Sequence, residues 1–354
     1  MLAQCWLHIG AEKTGSTSLQ TYFALNRATL LARGWLYPRA AGSRAHYNLL
    51  ACSLDEDRDD ETRRVAGVGK GLSLDTFCSH VIQSLETEIA ASGAAVLVVS
   101  NELLATRLRR PAEIARLKAL CDRLARQTKV IVYLRNQPDF FTSRYTNVIW
   151  EGGTHDFKFE ARAPIADYAL LLDRWSAVFG KQNLVVRRFE PADFPAGDLI
   201  ADFVNLTGLD TRGLQVPARA NPSLDAESLV FLRGMNRRLP RVLARDVQPF
   251  RGAIVRVLQR RRGGTRFTIP RLLADRIADA YRDSNERVST EYFGSRHRPL
   301  FSPPVLVSDS PPPNRLDTVT AARIGGFLAR GLLRDGLVRA ARRLFRQGEN
   351  PASR

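Results

Sequence analysis

The chain has 354 residues, 44% of them hydrophobic, which suffices for one large α/β domain or two smaller ones and excludes a wholly disordered protein. Lys and Arg number 53 against 36 Asp and Glu, a formal charge of +17, so the surface favours anionic partners such as phosphates, sulfates or acidic lipid. The opening MLAQCWLHIGAEKTG has no cationic stretch leading into a long apolar one, and no window reaches the ~20 apolar residues that span a bilayer, which points to a cytoplasmic protein. Cys5, Cys52, Cys78 and Cys121 lack the close spacing of a zinc or redox motif and read as buried thiols suited to a reducing compartment.

Gln4 to Ile9 is a short apolar run, followed by GAEKTGST and a helix-like segment from Ser18 to Arg33: strand, tight loop, helix. A brief strand in GWLYP precedes a polar stretch, Ala40 to Gly71, expected to be a surface excursion near the mouth of a site. Phe77, Val81, Leu85 and Ile89 recur at helical spacing, Ala94 to Val99 reads as a buried strand, Pro111 opens a helix through Gln127, and KVIVYL is a further strand. Helices are expected over Ile165 to Phe179, Leu199 to Leu206 and Leu224 to Arg238, with a strand at Asn183 to Arg187. Helix alternating with apolar strand predicts an α/β fold of three layers, a mainly parallel sheet flanked by helices, with a mostly helical C-terminal part. The expected organisation is one domain over 1–300, a Pro/Ser-rich linker over 301–320 and a basic tail over 321–354. Within the domain, 233–271 carries twelve arginines against one acidic residue, Asp246, and reads as a basic helical insert or lid.

A glycine-bearing loop between strand and helix turns backbone N–H groups toward one point, where the helix N-terminus adds positive potential. In GAEKTGSTS, Gly10 and Gly15 let the backbone turn, Lys13 brings a cation, and Thr14, Ser16, Thr17 and Ser18 bring hydroxyls. A Walker A loop would place Lys directly after its second glycine, whereas Lys13 stands before Gly15. HIGAEKTGSTSLQ resembles the 5′-phosphosulfate loop of sulfotransferases that use PAPS (3′-phosphoadenosine 5′-phosphosulfate). That family carries a second element, a strand ending in Arg and a Ser seven or eight residues on, which hold the 3′-phosphate. VIVYLRNQPDFFTSRY offers Arg135 and Ser143. The resemblance runs from about residue 5 to about 300 and takes in WSAVFG, NLVVRRFE and SNERVSTEYFG. It implies a P-loop-like sulfotransferase fold, Phe189 at the adenine, and Arg296 with Arg298 in a basic rim on the 3′-phosphate.

Sulfuryl transfer needs a base for the acceptor proton, in-line approach and charge stabilisation on the leaving phosphate, here by Lys13 and loop N–H groups, without a metal. Glu102, directly after AAVLVVSN, is the first candidate for the base, His46 the second and Glu12 the third. The acceptor is expected to be a hydroxyl or amine of a carbohydrate or glycolipid, with the basic tail resting against the inner membrane face. Two other readings stay open. A P-loop kinase or nucleotide hydrolase would need magnesium and ATP, and a basic module for nucleic acid or membrane would rest on the charge. Aromatics are sparse among the arginines, with only Phe250 and Phe267, which argues against specific nucleic-acid recognition.

Overall fold

A computed structural model describes residues 1–69, 71–160, 162–217, 223–238, 248–295, 298–310 and 314–335. The chain folds as two compact units, the first built from Met1–Gln137, Arg162–Ala220 and Ala280–Pro303, the second from Pro138–Ala161, Asn221–Asp279 and Pro304–Arg354. This division cuts the chain along other lines than a domain to residue 300, a linker and a tail. In chain order the elements are β1 (Leu2–His8), α1 (Ser16–Leu25), α2 (Arg27–Leu31), β2 (Trp35–Leu36), α3 (Tyr47–Ser53), α4 (Glu61–Val65), α5 (Leu74–Ser92) and β3 (Val96–Ser100). Next come α6 (Leu103–Arg107), α7 (Pro111–Leu124), β4 (Ala125–Leu134), α8 (Gln137–Trp150), α9 (Tyr168–Phe179), β5 (Leu184–Arg188) and α10 (Leu199–Thr207). The remainder are α11 (Ala226–Arg238), α12 (Gln248–Leu258), β6 (Ile269–Pro270), α13 (Arg271–Ala280), α14 (Arg282–Phe293), β7 (Val307–Ser308) and α15 (Thr318–Arg334).

The first unit is an α/β layer structure around a five-stranded sheet of order β2-β3-β1-β4-β5, parallel throughout. Side chains alternate across it. Cys5, Leu7, Leu97, Val99, Val130 and Val132 face one core with α3, α5, α7 and α9, while Val98, Ile131 and Tyr133 face another with α1 and α10. Both faces are therefore covered, which is why β3 and β4 read as nearly unbroken apolar runs. In α5 the buried residues Phe77, Val81 and Leu85 recur every fourth position, Ser73 caps the start by accepting from the Thr76 N–H, and Gly93 at φ 62 ends the helix. The register sets His8 of β1 opposite Ser100 and Ile131, so the strands end together and β4 runs on to pair Leu134 with Arg188.

Two expectations shift. The helix expected over Ser18 to Arg33 breaks at Asn26, whose amide Nδ2 donates to the Tyr22 and Gln215 carbonyls while its Oδ1 accepts from the Gln215 N–H. An Asn side chain that satisfies backbone elsewhere competes with helix continuation. The polar excursion over 40–71 includes α3 and α4, and Ala41, Ala45, Leu49, Leu50 and Leu54 within it are buried. It thus contributes core as well as surface.

The second unit gathers α8, α11, α12 and α15 around Tyr145, Ile149, Leu232, Ile254, Leu258 and Leu328. Three described arginines of the arginine-rich segment pair with acidic residues of this unit. Arg233 is 3% exposed and pairs with Asp156 at 2.5 Å, Arg261 pairs with Asp225 at 2.5 Å, and Arg260 pairs with Asp335 at 2.9 Å. Within the expected linker, Val307–Ser308 pairs parallel with Ile269–Pro270, and Asp139 accepts from the Val305 and Leu306 N–H groups. Of the expected tail, α15 is described through Arg334, and residues from 336 onward lie outside the described residues. No helix among the described residues is long and apolar enough to cross a membrane.

Candidate active site

The site lies at the C-terminal edge of the parallel sheet, where open α/β sheets collect their ligands. Gly10 follows β1, and the loop turns at Gly10 (φ 51), Lys13 (φ 70) and Gly15 (φ 79) before α1 begins. Glycine is demanded at two of these positions. A Cβ on Gly10 would sit 2.8 Å from Ser16 Oγ and 3.2 Å from Glu102 Cα, and one on Gly15 would sit 2.5 Å from Leu199 Cδ2. Thr14 is buried and donates to the Ala11 carbonyl at 2.6 Å, which closes the turn. Ser16, the first residue of α1, is buried, and its Oγ has no hydrogen-bond partner. At the start of α1 the N–H groups of Ser16 and Thr17 have no acceptor within the helix. A buried orphan hydroxyl beside helix N–H groups suits a tetrahedral anion.

Arg135 closes one side. Its Nη1 donates to the Lys13 carbonyl at 2.7 Å, and its guanidinium lies 5.7 Å from the centre of the Phe189 ring. Phe189 follows β5, donates its N–H to the Leu134 carbonyl at 2.6 Å, and brings Cε2 to 3.4 Å from where a Gly15 Cβ would stand. Lys13, Gly15, Arg135 and Phe189 are therefore one cluster. Tyr168, fully buried, fixes the Arg135 backbone, for its hydroxyl donates to the Arg135 carbonyl at 2.5 Å and accepts from the Arg135 N–H at 3.3 Å. Sequence reasoning missed Tyr168, Gln20 and Tyr47 because their roles depend on distant partners. Ser143 stands on α8 in the second unit, where its carbonyl accepts from Thr146 Oγ1 at 2.7 Å. Arg296 lies outside the described residues, while Ser302 further on accepts from Asn136 Nδ2 at 2.6 Å, next to Arg135.

Glu102 closes the opposite side. It is half-buried at the start of α6, and its carboxylate makes no helix cap. Instead Oε2 accepts from Gln20 Nε2 at 2.6 Å and Oε1 from the Tyr47 hydroxyl at 3.3 Å. Burial and the Glu102 charge push the Tyr47 phenol up to about 12, so it stays a donor at neutral pH. Glu12 is half-buried on the loop and Thr17 is exposed in the first turn of α1. Among the described residues no group of three or more His, Cys, Asp or Glu is placed to hold a metal ion.

His46 does not fit the role of base. It is wholly buried, its Nδ1 accepts from the Ser100 N–H at 3.0 Å, and its Nε2 donates to the Pro38 carbonyl at 3.1 Å. Both ring nitrogens are committed to backbone, and burial lowers the imidazole to about 3. The residue anchors the start of α3, and with it Tyr47, to the end of β3. His8 is likewise buried, with Nδ1 2.8 Å from Ser100 Oγ, and burial lowers it to about 4. Both imidazoles stay neutral in the folded state while the unfolded chain takes up protons below about pH 6.5. Stability is therefore full above that pH and falls as the pH drops toward 4, with each His costing about 1.4 kcal/mol per pH unit. Urea melts at pH 7, 6 and 5 should show this decline, and His46→Gln should flatten it; equal slopes in both proteins would rule His46 out as a source.

No family model matches the chain. An uncharacterized protein of Archaeoglobus fulgidus is 29% identical over 188 residues, 50% of this chain, and the match covers 49% of that protein. The chain spans about half the length of that curated relative. A crystal structure of a sulfotransferase from Alicyclobacillus acidocaldarius aligns with 67% of this chain and 93% of that one, at 16% identity and a TM-score of 0.38.

Proposed function

We propose that the chain is a sulfotransferase that moves a sulfuryl group from PAPS to a hydroxyl or amine, with PAP as the leaving product. The observation that carries this reading is the joined loop and guanidinium: Lys13 stands in a tight glycine turn whose carbonyl is held by Arg135, under the Phe189 ring. The residues fit such a donor. The loop N–H groups, Ser16 Oγ and Lys13 would take the phosphosulfate end, Arg135 the 3′-phosphate, and Phe189 the adenine face.

In this reading Glu102 accepts the acceptor's proton, and Gln20 and Tyr47 keep its two oxygens pointed into the site. Lys13 and the loop N–H groups offset the charge that grows on the leaving phosphate as the S–O bond breaks. The balance is one acceptor hydroxyl plus PAPS giving one sulfate ester, PAP and a proton. A carbohydrate or glycolipid acceptor and contact with the inner membrane face rest on the +17 charge, and both, with a cytoplasmic setting, are part of the proposal.

Calorimetric titration with PAP, without magnesium and beside ATP, tests the donor site. Micromolar PAP binding is expected, weakened about tenfold or more in Arg135→Ala, since a charge-assisted phosphate contact contributes roughly 1.5–3 kcal/mol. Binding of ATP that requires magnesium, with none of PAP, would replace this reading by a kinase.

A further inference from the structure

Tyr47 opens α3, and the backbone just before it is tied to the end of β3. His46 donates its N–H to the Ser100 carbonyl at 3.1 Å, and its own carbonyl accepts from Asn101 Nδ2 at 3.2 Å. Ser100 and Asn101 lead directly into Glu102. The ring of Tyr47, by contrast, stays open to solvent, the residue being 38% exposed. Among the other tyrosines, Tyr22, Tyr37, Tyr133, Tyr145, Tyr168 and Tyr281 are at most 5% exposed, and Tyr292 is half-buried with its ring 4.8 Å from Lys181 Nζ.

The Tyr47 hydroxyl donates to Glu102 Oε1 at 3.3 Å. Glu102 in turn borders the glycine loop, for a Cβ on Gly10 would meet Ser16 Oγ at 2.8 Å and Glu102 Cβ at 3.2 Å. Gln20, whose Nε2 donates to Glu102 Oε2 at 2.6 Å, stands four residues after Ser16 in α1, one turn along the same face. Ser16, Gln20, Glu102 and Tyr47 thus form a continuous run from the unpartnered hydroxyl at the loop to an exposed phenol. Sulfuryl transfer asks this of an acceptor: a hydroxyl whose proton already points at a carboxylate, beside a seat for the donor.

Resting on the sulfotransferase reading, we infer that Tyr47 is itself an acceptor: with PAPS bound and no other acceptor in the site, the chain sulfates its own Tyr47 phenol. An exposed side chain changes rotamer within nanoseconds, which lets the phenol oxygen leave Glu102 Oε1 for the loop without a shift of α3. The Tyr47 oxygen attacks sulfur, and the bond from sulfur to the phosphate oxygen breaks with its electron pair going to PAP. Glu102 takes the phenol proton and passes it to solvent. One phenol and one PAPS give one tyrosine sulfate ester, one PAP and one proton. The ester leaves a fixed negative charge next to the Glu102 carboxylate, where it opposes entry of a further acceptor.

The full chain is incubated with PAPS carrying radioactive sulfur, without acceptor or magnesium, then digested, and the labelled peptide is sequenced by mass spectrometry. Label on Tyr47 alone is expected, matched by the PAP released, absent in Tyr47→Phe and formed about 10²–10⁴-fold more slowly in Glu102→Gln. Calorimetry with PAP on the same preparation separates this inference from the reading it rests on. PAP that binds while Tyr47 stays unlabelled, or label on Tyr292 or any other residue instead, would overturn the inference and leave the sulfotransferase reading standing. A chain that neither binds PAP nor takes up label would overturn both.

Discussion

Replacing Lys13 by alanine is expected to slow the formation of PAP from PAPS by about 10²–10³-fold, the usual cost of removing one preorganised donor from a developing negative charge. The backbone of Lys13 complicates a simple reading. Its φ of 70 lies in the left-handed region, where a side chain costs about 1 kcal/mol or more, and its carbonyl accepts from Arg135. Loss of activity in the alanine variant could then reflect a disturbed loop. Lys13→Gly separates the two causes, since it removes the ammonium and the strain together. The glycine variant should melt no lower than the wild type, bind PAP within about tenfold, and lose the same 10²–10³-fold in turnover. Wild-type turnover in Lys13→Gly would show that the cation takes no part in the chemistry.

Glu102→Gln is expected to lower turnover by about 10²–10⁴-fold, the range for a lost general base, with PAP affinity unchanged. The substitution preserves shape, and the amide oxygen still accepts from Gln20 or Tyr47. A purely structural Glu102 would show the opposite pattern, with a lower melting temperature and turnover intact. Because the proposed donor site and the proposed base are made of different residues, calorimetry with PAP and a rate assay read them separately. The variant that binds PAP normally yet does not turn over is the diagnostic one.

The sheet and the loop were legible because their signals are local. An apolar run, a turn with glycines and a helix follow one another within GAEKTGST and its flanks, and a strand buried on both faces writes itself as VLVV or KVIVYL. The three-layer α/β architecture was predicted on that basis and is the one found. Helix ends were less legible, since α7 gives way to β4 at Leu124–Ala125 with no loop between them to mark the change. The carboxylate of Glu102 illustrates the other limit. Its partners Gln20 and Tyr47 are 82 and 55 positions away in the chain, so no spacing rule links them. His46 was misread for a related reason. The polar context SRAHYN suggests exposure, but the Pro38 carbonyl and the Ser100 N–H satisfy the ring inside the core. The second unit was hidden because its pieces, 138–161, 221–279 and 304–354, are scattered along the chain.

The position of β1 at the middle of the sheet also shapes how the protein is made. It leaves the ribosome well before both its partners, β3 at Val96–Ser100 and β4 at Ala125–Leu134. At about 5–20 residues per second, the apolar stretch LAQCWLH waits on the order of ten seconds before either edge is paired. Such long-range parallel pairing is intrinsically slow and leaves strand edges exposed to association with other chains. The strand that leads into the glycine-bearing loop is therefore synthesised well before the strands that cover its edges.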